Sequence, residues 1–560
     1  MGVVAIERVL VAGNPRLKVL IPYDQKDAIK RMGAKWNAPN RFWHLPFTPR
    51  SYRRLQGVFG DSLVVLKSAE PLVGAKIRID EVEVEQLPKA VLPPWKHQPY
   101  GVSMIGQLAG SILNWDVGAG KTKTVYDAIL HYGFQRTLVV CPHKVVSKVW
   151  GRQCDLHLPK GYPLNILTLD KQSIPKRALA VETAIESGYP FMAIINFEVI
   201  WRPQMLETLS GASWDLVVVD ESHRIARAST KSGKALSFKI GPKAKHRVCL
   251  SGTVLSNGPV DAYGQALFAD PSLFGESFMR FRSQYCVMGG FEGKEILDYQ
   301  NIDEFRSRLG EITHRVRIDD ILELPPMIDE KIVVDLPKKT MEVYESLRED
   351  FIAEFDSGSV VADNVLVKLL RLQQITSGYC PTENPETGQV SVEHLDKEKV
   401  TAFTEKMLEI DTKEPVVVFV RFVYDIEQVY EACESIGRPC YRISGAHDEM
   451  EAWEADSDAG RGPVVIVQIQ SGGEGLDFTR AHYCFMFSIG FSRREYVQAR
   501  GRIRRPGQKA GACYFYQMIA KRTVDEYVYF AIDKKQKVVD SVVEMLKHGS
   551  HALGDSPTSR

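Results

Sequence analysis

Two blocks of short, uninterrupted apolar runs, each alternating with helical stretches, constrain this chain more than anything else in it. The first block holds SILNW, RTLVVCP, LNILTL, FMAIIN, WDLVVVDE and HRVCLSGT, from Ser111 to Thr253. The second holds PVVVFVRF, CYRISG, GPVVIVQI, HYCFMFS and ACYFYQMI, from Pro415 to Ile519. A strand that is apolar at every position must be covered on both faces. Helices between such strands supply the cover, so each block predicts a parallel sheet with helices on either side. The intervening residues 266–385 read instead as mainly helical, as in MEVYESLREDFIAEF and NVLVKLLRLQQI. The fold class is therefore α/β, with two parallel-sheet lobes and a helical insertion between them.

Charge sets the N-terminal segment apart. Residues 1–60 carry eleven Lys/Arg against three Asp/Glu, a net of +8, whereas the whole chain has 71 basic and 70 acidic residues. A polyanionic partner would thus be met by local rather than global charge. The segment reads as strand LKVLIP, short helix QKDAIKRMG, strand FWHLPF and helix TPRSYRRL, a small α+β domain. An acidic, strand-like stretch, IRIDEVEVEQLP, follows with Pro88, Pro93 and Pro94, and marks a boundary. No run approaches the ~18 apolar residues of a membrane span, and Glu7 and Arg8 interrupt any signal-like start. The expectation is a cytoplasmic protein, neither secreted nor in a membrane. Nine cysteines without a CxxC pair predict free buried thiols and no structural metal.

The chemistry begins at Asp116-Val117-Gly118-Ala119-Gly120-Lys121-Thr122, between a strand and a helix. Glycines there let backbone N–H groups turn inward around phosphates, and the helix N-terminus adds positive potential. Lys121 would reach the β- and γ-phosphates, and Thr122 would place its hydroxyl on Mg²⁺. Trp115 stands where a full phosphate-loop pattern has its first glycine, so a simple glycine-rich helix cap stays open as an alternative. About a hundred residues on, WDLVVVDESH ends in Asp220, Glu221, Ser222 and His223. A carboxylate at such a strand end can hold Mg²⁺ through water, and its neighbour can activate the attacking water. HRVCLSGTVLSN then delivers Ser251, Gly252 and Thr253, hydroxyls able to relay the state of the γ-phosphate.

The second block adds a glycine-rich turn after VVIVQI, running from Ser471 and Gly472 through Gly475 to Asp477. It also adds QARGRIRRPGQ from Gln498, in a segment (493–509) with seven Lys/Arg and one acidic residue. Arg502 and Arg505, three apart, are expected on one helical face, able to stabilise charge on a transferring phosphoryl group. A solvated basic helix is the alternative.

Taken in order, these segments resemble the superfamily-two helicases and translocases, specifically their Swi/Snf-like branch, over about residues 90–535. WKHQ around Gln98 is similar to the glutamine motif, NWDVGAGKT to motif I, LVVCPHKVVSKVW to motif Ia, VVVDESH to motif II and LSGTVLSN to motif III. THRVRIDDILELPP resembles the stretch ahead of the branch's double proline, VVVFVRF motif IV, VQIQSGGEGLDFTRA motif V and QARGRIRRPGQ motif VI. This chain departs from the usual pattern at Asn114-Trp115-Asp116, at Ser222, where Gly or Ala is usual, and at Val254 in place of Pro. The resemblance implies two RecA-like lobes, ATP and Mg²⁺ as cofactors, and duplex-DNA translocation. It implies Lys121, Asp220, Glu221, Arg502 and Arg505 as catalytic groups. Gln98, Gly118, Ala119, Gly120, Thr122, Gly475 and Asp477 would join them around ATP. His223, Ser251, Thr253 and Gln498 would couple, and Pro142, Lys144, Ser471 and Gly472 would meet DNA.

The first sixty residues are similar to the HARP-type domain of annealing helicases. In it Trp36, Phe42 and Trp43 could stack bases while Arg41, Arg50, Arg53 and Arg54 track phosphates; Trp43, alternating with Leu45, fits a core position better. The expected organisation is a HARP-like domain (1–70), a linker (71–92), a first lobe (93–265), a helical insertion (266–385), a second lobe (386–546) and a disordered tail (547–560). The task this implies is remodelling forked or branched DNA in replication, recombination or repair, in a bacterial or viral setting. The alternatives are a motor subunit of a restriction or defence complex, and an ATP-gated DNA-binding scaffold with little turnover.

Overall fold

The computed structural model describes residues 3–533 apart from 12–13, 33, 48, 73–78, 85–86, 88–91, 256–257, 291–294, 357–361, 384–389 and 471–475. The expected tail at 547–560 lies outside these residues. The chain divides into two compact units, Met1–Ile321 and Leu322–Arg560.

The first unit opens with a five-stranded sheet. Its strands are β1 (Val4–Val11), β2 (Asn14–Leu20), β3 (Lys35–Asn37), β4 (Phe42–Pro46) and β5 (Leu63–Val65), in the order β3-β4-β2-β1-β5. Val4, Ile6, Leu17, Val19 and Leu45 alternate onto the face that meets Ile29, Tyr52 and Leu55 of the helices Lys26–Arg31 and Pro49–Phe59. This period-two burial gives the segment its own core. The acidic stretch after it, expected to be strand-like, is not a strand over its described residues 79–84. Its polar groups are drawn onto the helix Gln98–Gln107 instead: Asp80 exchanges two bonds with the Gln107 side chain, and the Val82 N–H donates to Ser103 Oγ at 2.8 Å.

The rest of the unit is built on a seven-stranded, all-parallel sheet. Its strands are β6 (Ser111–Trp115), β7 (Arg136–Cys141), β8 (Asn165–Leu169), β9 (Phe191–Asn196), β10 (Trp214–Asp220), β11 (Ala244–Ser251) and β14 (Thr313–Val316). They run in the order β14-β6-β11-β10-β7-β9-β8. β9 is buried at every position, and β10 at all but Asp215 and Asp220. A small hairpin, β12 (Cys286–Gly289) and β13 (Glu295–Tyr299), precedes β14.

The second unit carries a six-stranded parallel sheet of β15 (Met327–Val334), β18 (Val416–Val420), β19 (Cys440–Ile443), β20 (Val464–Gln468), β21 (Tyr483–Met486) and β22 (Cys513–Ala520). The order is β15-β22-β21-β18-β20-β19. A hairpin of β16 (Tyr379–Glu383) and β17 (Val390–His394) lies between β15 and β18 in the chain. The two helices read from periodicity are present as Lys338–Asp356 and Ala362–Thr376, with Tyr344, Leu369, Leu372 and Ile375 in the core.

Residues 266–385 do not stand apart as an insertion. They are shared: β14 completes the first sheet and β15 the second, and the division between units falls at Ile321. Both strands are edges. β14 spans four residues, THRV, and β15 leaves six of its eight positions exposed, so neither shows the continuous apolar run of a central strand. Among the described residues no helix is long and apolar enough to cross a membrane, and all nine cysteines are free.

Candidate active site

β6, β11 and β10 are neighbours in one parallel sheet, so their C-terminal ends share an edge. That edge carries the phosphate-loop candidate, the hydroxyl turn and the carboxylates in that order. After Trp115 the chain turns through Asp116–Gly120 into the helix Lys121–Tyr132. Gly118 and Gly120 adopt φ of 85° and 78°, left-handed values that side chains disfavour. A Cβ on Gly120 would also meet the Gln98 amide nitrogen at 2.3 Å. Buried Gln98 braces the loop: its Oε1 accepts from the Trp95 N–H at 2.7 Å and its Nε2 donates to the Gly120 carbonyl at 3.1 Å. Lys121 Nζ donates to the carbonyls of Trp115 and Asp116 at 2.9 and 3.1 Å. Ala119, within the loop, is buried, and Thr122 lies on the first helical turn.

Asp220 closes β10. Its Oδ2 accepts from the Trp150 indole N–H at 2.9 Å and its Oδ1 from the Glu221 N–H at 2.9 Å. Burial, and then the neighbouring Glu221 charge, push its pKa up to about 6, against the pull of Trp150 and Lys121. Glu221 has φ 51°, an uncommon value for a residue with a side chain, and its Oε2 lies 3.2 Å from His223 Nδ1. Ser251 ends β11 fully buried, and its Oγ accepts from the Thr253 N–H at 3.1 Å. These groups fit a magnesium–nucleotide substrate: a glycine-bearing turn into a helix N-terminus, a lysine, a threonine hydroxyl and a deep carboxylate. Mg²⁺, when bound, would neutralise charge on the β- and γ-phosphate oxygens.

Two residues here have roles the sequence pattern did not single out. Trp150 comes from the π-helical turn Val146–Gly151, a widening of the helix often found at functional positions. Arg315 on β14 donates from Nη2 to Asp116 Oδ1 at 2.8 Å and from Nη1 to the Asn114 and Gly252 carbonyls at 3.2 and 3.1 Å. It thereby ties the phosphate loop to the hydroxyl turn. Its signal in the sequence was its place within THRVR.

Pro142 and Lys144 follow β7 at the same edge; Pro142 is buried and Lys144 exposed. In the N-terminal domain Arg41 is exposed in a turn with φ 50°. Arg53 is only 8% exposed and forms an ion pair with Glu311, beside β14. Arg54 donates to the Met32 carbonyl at 2.9 Å. Both side chains are thus engaged with the protein, Arg53 through a carboxylate and half-buried Arg54 through a backbone carbonyl; the Arg50 side chain lies outside the described residues. The aromatics divide too. Trp43 packs on the domain core, whereas Trp36 and Tyr23 are 49% and 80% exposed. Lys26 sits 3.4 Å over the Tyr23 ring and Lys30 5.6 Å over that of Trp43.

In the second unit Ser471, Gly472 and Gly475 lie outside the described residues. Gln498 is half-buried on the helix Arg493–Arg500. That helix stops at a Gly501 cap, so Arg502 and Arg505 do not share a helical face as the spacing suggested. The following turn, closed by Pro506 and by Gly507 at φ 102°, still brings them together. Arg502 and Arg505 each donate from Nη1 to the Leu476 carbonyl, at 3.3 and 3.1 Å. Arg505 lies 3.8 Å from Asp477. Gln508 locks the turn through the Ala481 and Ile503 carbonyls at 2.9 and 3.1 Å.

The SNF2-related domain family matches residues 24–378, well over half of the chain. The chain belongs to that family. The helicase conserved C-terminal domain matches residues 398–507, completing the two-lobed organisation of a Swi/Snf-like superfamily-two ATPase. This SNF2-related chain is 24% identical over 454 residues to the putative protein p41 of Acyrthosiphon pisum secondary endosymbiont phage 1, covering 77% of itself and 94% of p41. It is 23% identical to the putative ATP-dependent helicase/translocase YwqA of Bacillus subtilis, covering 87% of itself and 52% of that protein. It is 22% identical to the DNA annealing helicase and endonuclease ZRANB3 of Bos taurus, covering 86% and 43%. The chain thus spans about half the length of the Bacillus and cattle proteins. The Sulfolobus solfataricus SWI2/SNF2 ATPase core in complex with dsDNA matches at 19% identity and a TM-score of 0.37, over 85% of this chain and 98% of that one.

Proposed function

We propose that this chain hydrolyses ATP to move along duplex DNA, and that it remodels forked or branched DNA. One observation carries the reading: Gly118–Thr122, Asp220–Glu221 and Ser251–Thr253 meet on one sheet edge, at the ends of three adjacent parallel strands. In this reading Lys121 and the loop amides hold the β- and γ-phosphates, and Thr122 and Asp220 hold Mg²⁺. Glu221 orients the attacking water and takes its proton. Arg502 and Arg505 stabilise charge on the transferred phosphoryl group. Gln98 contributes at the base, and His223, Ser251, Thr253 and Gln498 link the nucleotide state to DNA movement.

Action on DNA is supported by family membership and by the similarity to the helicase/translocase YwqA and the annealing helicase ZRANB3. The preference for branched DNA rests on the N-terminal domain. There Tyr23 and Trp36 present exposed rings among Lys26, Lys30, Lys35 and Arg41, the mix of stacking surface and cations that single strands favour. The test is ATP turnover without DNA and with linear duplex, single-stranded and forked DNA. Stimulation by duplex and further by forks supports the reading. Equal turnover under all four conditions overturns it.

A further inference from the structure

Ser222 and Val254, two of the positions at which this chain departs from the usual helicase pattern, are joined by one buried side chain. Gln265 lies in the helix Pro259–Ala269 and is fully buried. Its Oε1 accepts from the Ser222 hydroxyl at 2.7 Å. Its Nε2 donates to the Val254 carbonyl at 3.2 Å and to the Asp261 carbonyl one turn back at 2.9 Å. The Gln265 carbonyl in turn accepts from the Cys249 thiol on β11 at 3.6 Å. An amide in an apolar core is costly unless its donors and acceptor are paired. Here the pairing ties the carboxylate turn to the hydroxyl turn.

The two ends of that tie matter. Ser222 directly follows Glu221, whose left-handed φ of 51° must be held in place by its surroundings. Val254 directly follows Thr253, whose Oγ1 is buried without a hydrogen-bond partner among the described residues. An apolar residue at either 222 or 265 would leave the two turns without this link. We infer that Gln265 is a positioning residue that sets the Glu221 turn against the Ser251–Thr253 turn, so that hydrolysis answers to DNA. This rests on the reading above that the edge hydrolyses ATP.

The experiment compares the full wild-type chain with Gln265→Leu, Ser222→Ala and the double variant. Melting temperature, kcat and KM for ATP are measured with and without linear duplex DNA, well below the lowest melting temperature. Gln265→Leu strands the Ser222 hydroxyl, and removing that hydroxyl in the double variant should raise the melting temperature again. Positioning predicts that the DNA-stimulated kcat falls about two- to thirty-fold in Gln265→Leu. It predicts that KM stays unchanged and that the double variant stays slow despite its recovered stability. A double variant that regains stability and DNA-stimulated kcat together would make the pair purely structural and overturn the inference. Should Gln265→Leu not fold, Ser222→Ala decides alone: wild-type stimulation overturns the inference, and a reduced one supports it. A wild-type chain without DNA-stimulated turnover overturns the parent reading and this inference with it.

Discussion

The indole N–H of Trp115 donates to Nδ1 of His314 at 3.2 Å, joining the entry of the phosphate loop to the edge strand β14. An indole can only donate, so Nδ1 accepts and the imidazole carries its proton on Nε2. His97 packs edge-on against the same indole, with ring centroids 4.5 Å apart. Burial first, and the nearby His97 second, push the His314 pKa down to about 4. The unfolded chain binds this proton near pH 6.5 and the folded chain does not. His314 therefore contributes stability that is complete above pH 6.5 and is lost as pH falls towards 4. Asp220, raised to about 6, works in the opposite direction over much of that window. The comparison that isolates His314 is wild type against His314→Gln, whose amide oxygen can still accept from Trp115. The variant should show a shallower fall in melting temperature between pH 7 and 5; identical slopes would place the proton on His314 in the folded state.

Lys121→Ala removes the cation at the loop that is proposed to hold the β- and γ-phosphates. ATP affinity and kcat should both fall, with turnover reduced by about 10²-fold or more. Glu221→Gln keeps the shape of the carboxylate turn but removes its base. It should bind ATP like the wild type while turnover drops by about 10²–10³-fold. Equilibrium nucleotide binding beside single-turnover hydrolysis separates the two effects. Ordinary turnover by either variant would remove the assignment.

Arg502 and Arg505 share the Leu476 carbonyl but not an environment. Arg502 is buried, whereas Arg505 is partly open and close to Asp477. Arg505→Ala should leave the melting temperature nearly unchanged while cutting kcat by about 10³-fold, the scale of an arginine finger. Arg502→Ala should also lower stability, by about 1–3 kcal/mol, through loss of a buried hydrogen bond. If Arg505→Ala weakens DNA binding and spares kcat, the residue is a phosphate contact instead.

The central strands were legible because burial on both faces demands apolar residues at every position, as in LVVV before Asp220. Their order in the chain also fixed which loops carry Lys121, Asp220 and Ser251. Edge strands do not obey that demand. β14 and β15 keep polar and exposed residues, and so read as part of a helical stretch. Side-chain partnerships across long separations were equally hidden. Arg315 meets Asp116 from 199 residues away, and Gln265 meets Ser222 from 43. Nothing in local spacing marks Gln265 apart from a polar residue in an apolar helix. The arginine pair at 502 and 505 shows the converse: the spacing suggested a helix, the chain turns instead, and the two groups still converge.

The N-terminal domain separates two kinds of cation, and substitutions should separate them in solution. Arg53 is held against Glu311 of the same unit, both largely shielded from water. Arg53→Ala leaves that carboxylate without its partner and should cost roughly 3 kcal/mol of stability. It should not change the salt dependence of DNA binding, because the guanidinium does not face solvent. Lys26 sits over the exposed Tyr23 ring, and Lys30 over the half-exposed Trp43 ring, which lies 5.2 Å from that of Trp36. A triple Lys26→Ala, Lys30→Ala, Trp36→Ala variant should keep its melting temperature and its ATP turnover on linear duplex. Its affinity for forked DNA should fall, by about 1–3 kcal/mol for each base no longer stacked. Its log–log salt slope should flatten by roughly 0.7–0.9 for each phosphate no longer neutralised. Titrations of forked and linear DNA at several salt concentrations, with melting curves on the same preparations, test both variants together. An unchanged fork affinity and slope in the triple variant would reduce this face to the solvated surface of a domain that only packs on the first lobe. A flattened slope in Arg53→Ala would mean that Arg53 leaves Glu311 for DNA.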